Sequence, residues 1–239
     1  MLDERYRRQI LLPEVGQTGQ RKLLASSALV VGCGGLGSTL LYCLCGIGVG
    51  RIGFCDGDIV SRSNLNRQFL HDVSDIGRSK TQSAYETLAA FAPDLRLEPY
   101  DFPLTDDNAS DIVSRYDVVA LAVDSVAARL TANRACVAAN VPLVDGGVHG
   151  LRGTLFSVRP GKTACLSCLF GEEHPPAKHV PGFAPVVSCI SALEAQCVAN
   201  ILLNRPNPTD GRLLLFDGEA MTTEFVSIER NPNCAVCGR

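Results

Sequence analysis

Residues 28–58 read ALVVGCGGLGSTLLYCLCGIGVGRIGFCDGD. A short apolar run, Leu29 to Val31, ends in Gly32-Cys33-Gly34-Gly35-Leu36-Gly37. A small-residue, apolar helix pattern follows over Leu36 to Val49, then a second strand-like run, Arg51 to Cys55, closing on Asp56. The order is strand, glycine turn, helix, strand, acid. Glycines let the backbone turn tightly and approach a phosphate with no Cβ in the way. The helix start offers free N–H groups and the positive end of its dipole. Asp56 falls about 20 residues beyond the turn, where such units place a carboxylate on ribose hydroxyls. The stretch predicts a nucleotide site. The competing reading is a glycine-rich packing turn, which leaves the acid at that offset unexplained.

The units continue to alternate. Leu95 to Pro99 reads as a strand, Ala109 to Arg115 as a helix, Asp117 to Val123 as a buried strand, Val126 to Ala139 as a helix and Val141 to Asp145 as a strand, with Gly146-Gly147 after it. This alternation predicts an α/β, Rossmann-like, doubly wound and mostly parallel sheet. After it, Gly153 to Arg159, Arg212 to Phe216 and Thr223 to Glu229 read as antiparallel strands extending that sheet. Between them lie a Pro- and Gly-rich loop, 171–185, and one long apolar helix, Val186 to Leu203. Before the first strand, residues 1–27 are polar and amphipathic, with Arg5, Arg7 and Arg8 ahead of Ile10-Leu11-Leu12, a Pro13/Gly16/Gly19 loop and a short helix from Gln20 to Ala25.

Between Asp56 and the next helix, residues 56–80 form a long aperiodic loop rich in Ser, Asn, Asp and Arg. Such loops inside compact domains are often functional. Following the second strand, this one lies at the carboxyl edge of the sheet, where ligands bind. Arg62, Arg67, Arg78 and Lys80 would then face phosphates. Lys80 opens the helix Thr81 to Phe91, where a cation meets the positive dipole end, a conflict that favours a functional lysine over a solvated one. Asp124-Ser125 ends the strand Asp117 to Val123. A carboxylate there can hold Mg²⁺ against phosphates, or either residue can cap the following helix. The two roles are compatible if the side chains divide them.

A net charge of -3, from 22 basic and 25 acidic residues, suggests no nucleic-acid or membrane surface. MLDERYRRQ has no apolar core, so a signal peptide is not expected. No apolar run approaches a membrane span of about 20 residues. The expected location is the cytoplasm, where the 11 cysteines would not form a disulfide framework. Cys33, Cys43, Cys45, Cys55, Cys136 and Cys197 sit in apolar segments and read as core residues. Cys165-x-x-Cys168 and Cys234-x-x-Cys237 are different. Each pair can grip one side of a tetrahedral ion, and together they predict a closed, structural four-thiolate Zn²⁺ site that pins the C-terminal tail. A redox role for either pair alone needs a thioredoxin-like context that the chain does not offer.

In order, the chain carries RYRRQ, GCGGLG, DGDIVSRSNLNRQFLH, GRSK, AVDS, and CLSC paired with CAVC. This resembles the ThiF/MoeB/HesA family of adenylyltransferases, relatives of the ubiquitin-activating enzymes, from Arg5 to Gly238. The resemblance implies a single adenylation domain over 1–239, with an N-terminal helical segment (1–27), a nucleotide-binding core (28–150), and antiparallel strands, crossover loop and zinc site (151–239). It implies use of ATP and Mg²⁺ to activate the C-terminal glycine carboxylate of a small ubiquitin-like, β-grasp sulfur-carrier protein ending in Gly-Gly. The product is an acyl-adenylate, later converted to a thiocarboxylate with sulfur from a donor protein.

The implied nucleotide site comprises Gly32, Gly34, Gly35, Gly37, Asp56, Asp58, Ser63, Asn64, Leu65, Asn66, Arg67, Lys80, Asp124 and Ser125. Within it, Gly35, Arg67 and Lys80 meet phosphates, Asp56 holds the ribose and Asp124 holds Mg²⁺. Arg8 resembles the arginine that members supply to the partner subunit's ATP in a homodimer, so Arg8, Arg67, Lys80 and Asp124 form the implied catalytic set. Two features depart from the pattern. The loop EEHPPAKHVPGFAP (172–185) lacks the cysteine that many members carry, so a covalent step there has no thiol, and Cys189 just beyond it reads as a core residue. Ser125 stands where members commonly have Asn. Two other functions fit parts of the chain: an NAD-dependent oxidoreductase, and a non-catalytic scaffold for ubiquitin-like domains.

Overall fold

The structure is a computed structural model that describes residues 4–171 and 180–238. In chain order its elements are α1 (Arg7–Ile10), α2 (Gly16–Ala25), β1 (Ser27–Val31), α3 (Gly35–Ile47), β2 (Arg51–Cys55), α4 (Lys80–Phe91), β3 (Arg96–Tyr100), α5 (Ala109–Val113) and β4 (Val118–Leu121). There follow α6 (Val126–Ala139), β5 (Leu143–His149), β6 (Arg152–Val158), α7 (Leu166–Phe170), α8 (Ala184–Leu202), β7 (Arg212–Asp217) and β8 (Thr222–Ser227). All eight strands form one sheet in the order β3-β2-β1-β4-β5-β6-β7-β8. The first five are parallel, and β6, β7 and β8 add antiparallel to β5 and to one another. The doubly wound sheet with antiparallel additions is the expected one.

β1 and β4 are continuous apolar runs because helices cover both faces of the sheet. Alternate residues feed two cores. Ala28, Val30, Ile52 and Phe54 pack with α3 and α8 residues such as Leu40, Leu44 and Val198. Leu29, Val31, Val119 and Leu121 pack with Ile112, Leu130 and Cys136 on α5 and α6. The chain leaves β1 for β2 in one direction and returns after β3 to β4 on the other side. That reversal opens a crevice at the carboxyl ends of β1 and β4.

Some boundaries differ from the sequence expectations. α2 begins at Gly16, inside the stretch read as a loop. β5 runs on through Gly146-Gly147 to His149, because β6 returns at once and pairs with it out to His149↔Arg152. A Cβ at Gly146 would lie 2.5 Å from Glu194 Oε2, so only glycine lets the strand pass there. α8 is 19 residues and, against expectation, long and apolar enough to cross a membrane. However, 61% of that span is buried within the fold, and it carries the buried Glu194. Cys43 and Cys189 are half-buried, whereas Cys33, Cys45, Cys55, Cys136 and Cys197 are buried as expected. Cys165 directly precedes the short helix α7, and Cys168 lies within it. Residues 172–179 of the cysteine-free loop lie outside the described residues.

Candidate active site

A cavity of about 410 Å³ occupies the crevice. Its floor is the glycine turn. Gly32 has φ +104°, and a Cβ there would lie 2.5 Å from the Ala122 carbonyl of β4's extension, so two adjacent strand ends can close up only on glycine. Gly34 and Gly35 line the cavity at the start of α3. Among the described residues, the Gly34 N–H has no recorded backbone or side-chain acceptor. Gly37 does not line the cavity; its missing Cβ lets the first turn of α3 sit against the Gly32 carbonyl. Its role here is in packing the turn.

Asp56 ends β2 and braces the turn. Its Oδ2 accepts from Cys33 N–H at 2.8 Å, and its Oδ1 from Asp58 N–H at 2.8 Å. A carboxylate has about four acceptor positions, so two stay open toward the cavity. Lys80 lies at the start of α4, only 6% exposed, with Nζ 2.8 Å from Asp58 Oδ2. Asp58 thus compensates the cation that the helix start disfavours. The Arg67 stem lies over the turn: a Cβ on Gly35 would be 3.3 Å from Arg67 Cγ. Its Nη1 donates to Asn66 Oδ1 at 2.9 Å and to the Ser63 carbonyl at 3.2 Å.

Of Asp124 and Ser125, the helix cap falls to Ser125. Ser125 Oγ caps α6, accepting from Ala128 N–H at 3.2 Å. Asp124 is exposed on the cavity wall, close enough to the buried Arg129 to feel its charge.

Ser63, Asn64, Leu65 and Asn66 do not line this cavity. Asn64 Oδ1 accepts from Ser61 N–H at 3.0 Å and closes the single helical turn Arg62–Asn64. Ser63 and Asn66 hold the Arg67 guanidinium. The four residues shape the loop that presents Arg67. Arg8 is also elsewhere. Gln9 Nε2 donates to the Ile47 carbonyl at 2.8 Å, which docks α1 at the C-terminal end of α3. The 13 residues of α3 separate that end from the glycine turn by about 20 Å, beyond the reach of an arginine side chain.

Other residues had no role in the sequence reading. Gln68, 5% exposed, lines the cavity with its Oε1 unpartnered among the described residues, and its Nε2 is 3.5 Å from where a Gly34 Cβ would be. Its place directly after Arg67 was the available signal. Arg129 lines the cavity from α6, ion-paired with the buried Asp145. It also donates to the Val123 carbonyl at 2.6 Å and the Gly146 carbonyl at 3.1 Å, tying the segment that follows β4 to the middle of β5.

Beneath that junction lies Glu194 of α8, fully buried, with the backbone of Leu121 and Gly146 nearest its oxygens and no hydrogen bond of good geometry to either among the described residues. Burial drives its carboxyl well above the usual range, opposed by Arg129. The folded protein therefore keeps the Glu194 proton to higher pH than the unfolded chain does. The associated stability is complete below the unfolded carboxyl range and falls as pH rises toward the folded value. The isosteric Glu194→Gln variant lacks that fall. Its Tm is expected to match the parent at about pH 4 and to exceed it increasingly as pH rises, by about 3–5 °C for each pH unit over which the folded carboxyl keeps the proton that the unfolded one has lost, read by thermal melts from pH 4 to 8.

The two cysteine pairs converge on the far side of the sheet from α8, although 69 residues separate Cys165 from Cys234. Sγ–Sγ distances are 4.0 Å for Cys165–Cys168, 3.7 Å for Cys165–Cys234 and 3.4 Å for Cys168–Cys237, and all four lie within 4.8 Å. Arg230 Nε donates to the Cys237 carbonyl at 2.9 Å and holds the tail in place.

Comparison with known proteins identifies the company this site keeps. The ThiF family model matches residues 6–236. The chain is 37% identical to the SAMP-activating enzyme E1 of Haloferax volcanii, over 98% of this chain and 88% of that one. It is 36% identical to a sulfur carrier protein adenylyltransferase of Thermus thermophilus, over 98% and 90%. It is 39% identical to the adenylyltransferase and sulfurtransferase MOCS3 of Mus musculus, over 98% of this chain but 52% of that protein, so it spans about half of that longer relative. In fold it is similar to E. coli MccB bound to MccA-N7isoASN, with a TM-score of 0.87 at 23% identity, covering 100% of this chain and 75% of MccB. With the family pattern matched along nearly its whole length and the glycine turn, cations and strand-end acid gathered in one crevice, the chain belongs to the ThiF family.

Proposed function

We propose that this chain is an ATP-dependent adenylyltransferase. It activates the C-terminal glycine carboxylate of a small ubiquitin-like sulfur-carrier protein ending in Gly-Gly, before that carboxylate becomes a thiocarboxylate. The observation that carries the reading is one cavity walled by the open Gly34 N–H, the cations of Arg67 and Lys80, and the carboxylate of Asp124. That wall suits a triphosphate.

The α-phosphate and the attacking carboxylate are both anions. Arg67 and Lys80 offset their repulsion and hold them in line. One carboxylate oxygen bonds to the α-phosphorus while the bond to the bridging oxygen breaks and pyrophosphate leaves. Asp56 takes the ribose hydroxyls, and the Gly34–Gly35 N–H groups take phosphate oxygens. Asp124 offers a hard carboxylate oxygen on the cavity wall, the donor type Mg²⁺ prefers; the ion, when bound, adds charge neutralisation on the phosphates. Arg129 holds the segment after β4 that carries Asp124. No protein nucleophile is required.

Two other readings lose ground on particular residues. Hydride transfer shares the glycine turn and Asp56 but has no use for both cations and Asp124. A scaffold has no need to keep the three together. The relatives named for adenylyl transfer to a sulfur carrier favour the same choice. The test is exchange of labelled pyrophosphate into ATP with Mg²⁺ and candidate carriers. Exchange is expected only with a carrier ending in Gly-Gly; its absence across such carriers, or reduction of NAD, would reject the reading.

The four thiols suit a structural Zn²⁺. Ligands at about 2.3 Å in a tetrahedron lie about 3.8 Å apart, close to the observed 3.4–4.0 Å. Protein purified without chelator is expected to contain one zinc per chain by metal analysis. Stripping it should lower the Tm and loosen the C-terminal tail, with adenylation affected only as the fold fails. A zinc content near zero would remove the assignment. The described residues act as one adenylation unit, and two chains pair so that Arg8 of each completes the other's site; a sulfur-donor protein acts after them.

A further inference from the structure

His71 lies within the long loop, is 6% exposed and does not line the cavity. Its Nε2 lies 3.1 Å from the Cys33 carbonyl in the glycine turn, and its Nδ1 lies 2.8 Å from Ser83 Oγ on α4. A carbonyl only accepts, so Nε2 carries the proton and Nδ1 accepts from the Ser83 hydroxyl. Burial lowers the affinity of this imidazole for a second proton, which agrees with one donor and one acceptor on the ring. The segment carrying it is held from two sides. Leu70 N–H donates to Ser38 Oγ on α3 at 3.4 Å, and the Leu70 carbonyl accepts from Thr87 Oγ1 on α4 at 2.9 Å.

Both polar groups of Cys33 are therefore committed: its N–H to Asp56 and its carbonyl to His71. The peptide bond joining Cys33 to Gly34 is trans, as there are no cis bonds. In a trans peptide the carbonyl and the next N–H point in opposite directions. Holding the Cys33 carbonyl toward His71 turns the Gly34 N–H away from it, to the side where Gly34 lines the cavity. Glycine offers no side chain to restrain that plane, and its backbone is the least restricted of all residues. An external clamp is needed.

We propose that His71 is a positioning residue for phosphate binding, fixing the peptide plane that aims the Gly34 N–H into the cavity, with Ser83 fixing the ring. The inference rests on the adenylation reading of the cavity and adds a residue that never touches the nucleotide. It concerns the phosphates alone, because the clamp acts on the turn and not on the base or ribose.

The test is calorimetric binding of ATP and of adenosine to the intact protein and four variants. His71→Leu is expected to weaken ATP about tenfold or more, the effect of losing one aimed hydrogen bond to an anion, while adenosine affinity is unchanged. His71→Gln keeps an amide N–H donor and is expected to restore most of the ATP affinity. Ser83→Ala should weaken ATP several-fold in the parent and have no effect in the His71→Gln background, where no ring needs holding. If His71→Leu does not fold, the two Ser83→Ala comparisons decide the matter. Unchanged ATP affinity in His71→Leu, parallel loss of ATP and adenosine, or equal Ser83→Ala effects in both backgrounds would overturn the proposal. A parent protein that binds no ATP would instead reject the adenylation reading itself.

Discussion

Lys80→Ala and Arg67→Ala are each expected to lower carrier-dependent pyrophosphate exchange by about 10²–10³, the usual cost of deleting one preorganised charge-stabilising group. The fold should survive both. The Lys80 side chain is buried, but its partner Asp58 has a side chain 74% exposed, so losing the lysine strands no carboxylate in the interior. The Arg67 guanidinium bonds only to its own loop among the described residues, at Asn66 and Ser63, and its stem leaves a gap over Gly35 that faces the cavity. Thermal melts would confirm that Tm moves little. Lys80→Met, which keeps the stem without the charge, separates packing from electrostatics: it should be as inactive as Lys80→Ala. Full exchange activity in either alanine variant would remove these cations from the triphosphate site.

Mixing two inactive proteins, one Arg8→Ala and one Asp124→Ala, is expected to restore activity. Arg8 is exposed on α1, which docks at the end of α3 opposite the glycine turn. Beside it Leu11 and Leu12 are 74% and 51% exposed, an apolar pair next to a cation and suited to a second subunit. The length of α3 keeps Arg8 from its own cavity, so any role in the chemistry must be played across a subunit boundary. In a mixed two-fold dimer one site carries both lesions and the other carries neither. Random exchange makes about half of the dimers mixed, each with one intact site, so roughly a quarter of the parental activity should return. No recovery from dimers shown to be mixed, by differential tags for example, would sink the assignment in trans. An Arg8→Ala protein with full activity on its own would remove Arg8 from the reaction.

Much of this architecture was legible in the chain itself, and the reasons are local. The apolar runs that became β1, β2 and β4 are short-range patterns, and a strand covered on both faces needs nothing more distant to announce it. Gly32 is demanded by a positive φ, and Gly32 and Gly37 by backbone approaches that no Cβ permits. Asp56, Lys80 and Asp124 sit at strand ends or a helix start, so the topology alone delivers them to one crevice.

Where periodicity ends, the tertiary structure decides. Residues 56–80 have no repeat to say which side chain faces inward. Contacts of Leu70 with Ser38 and Thr87, far away in the chain, set the loop so that Gln68 and Arg67 meet the cavity while Ser63, Asn64, Leu65 and Asn66 do not. The same contacts bring His71 under the glycine turn, where one hydrogen bond orients a peptide plane. Arg129 and Glu194 lie on helices that cover opposite faces of the sheet, and only the packed sheet between them reveals that both meet where the end of β4 adjoins the middle of β5. The spacing of each cysteine pair is a local signal, but the meeting of two pairs 69 residues apart belongs to the fold. A pattern written in neighbouring residues specifies an element and its ends. The direction of a side chain in an aperiodic loop, or the partner of a buried charge, depends on atoms that only folding brings near.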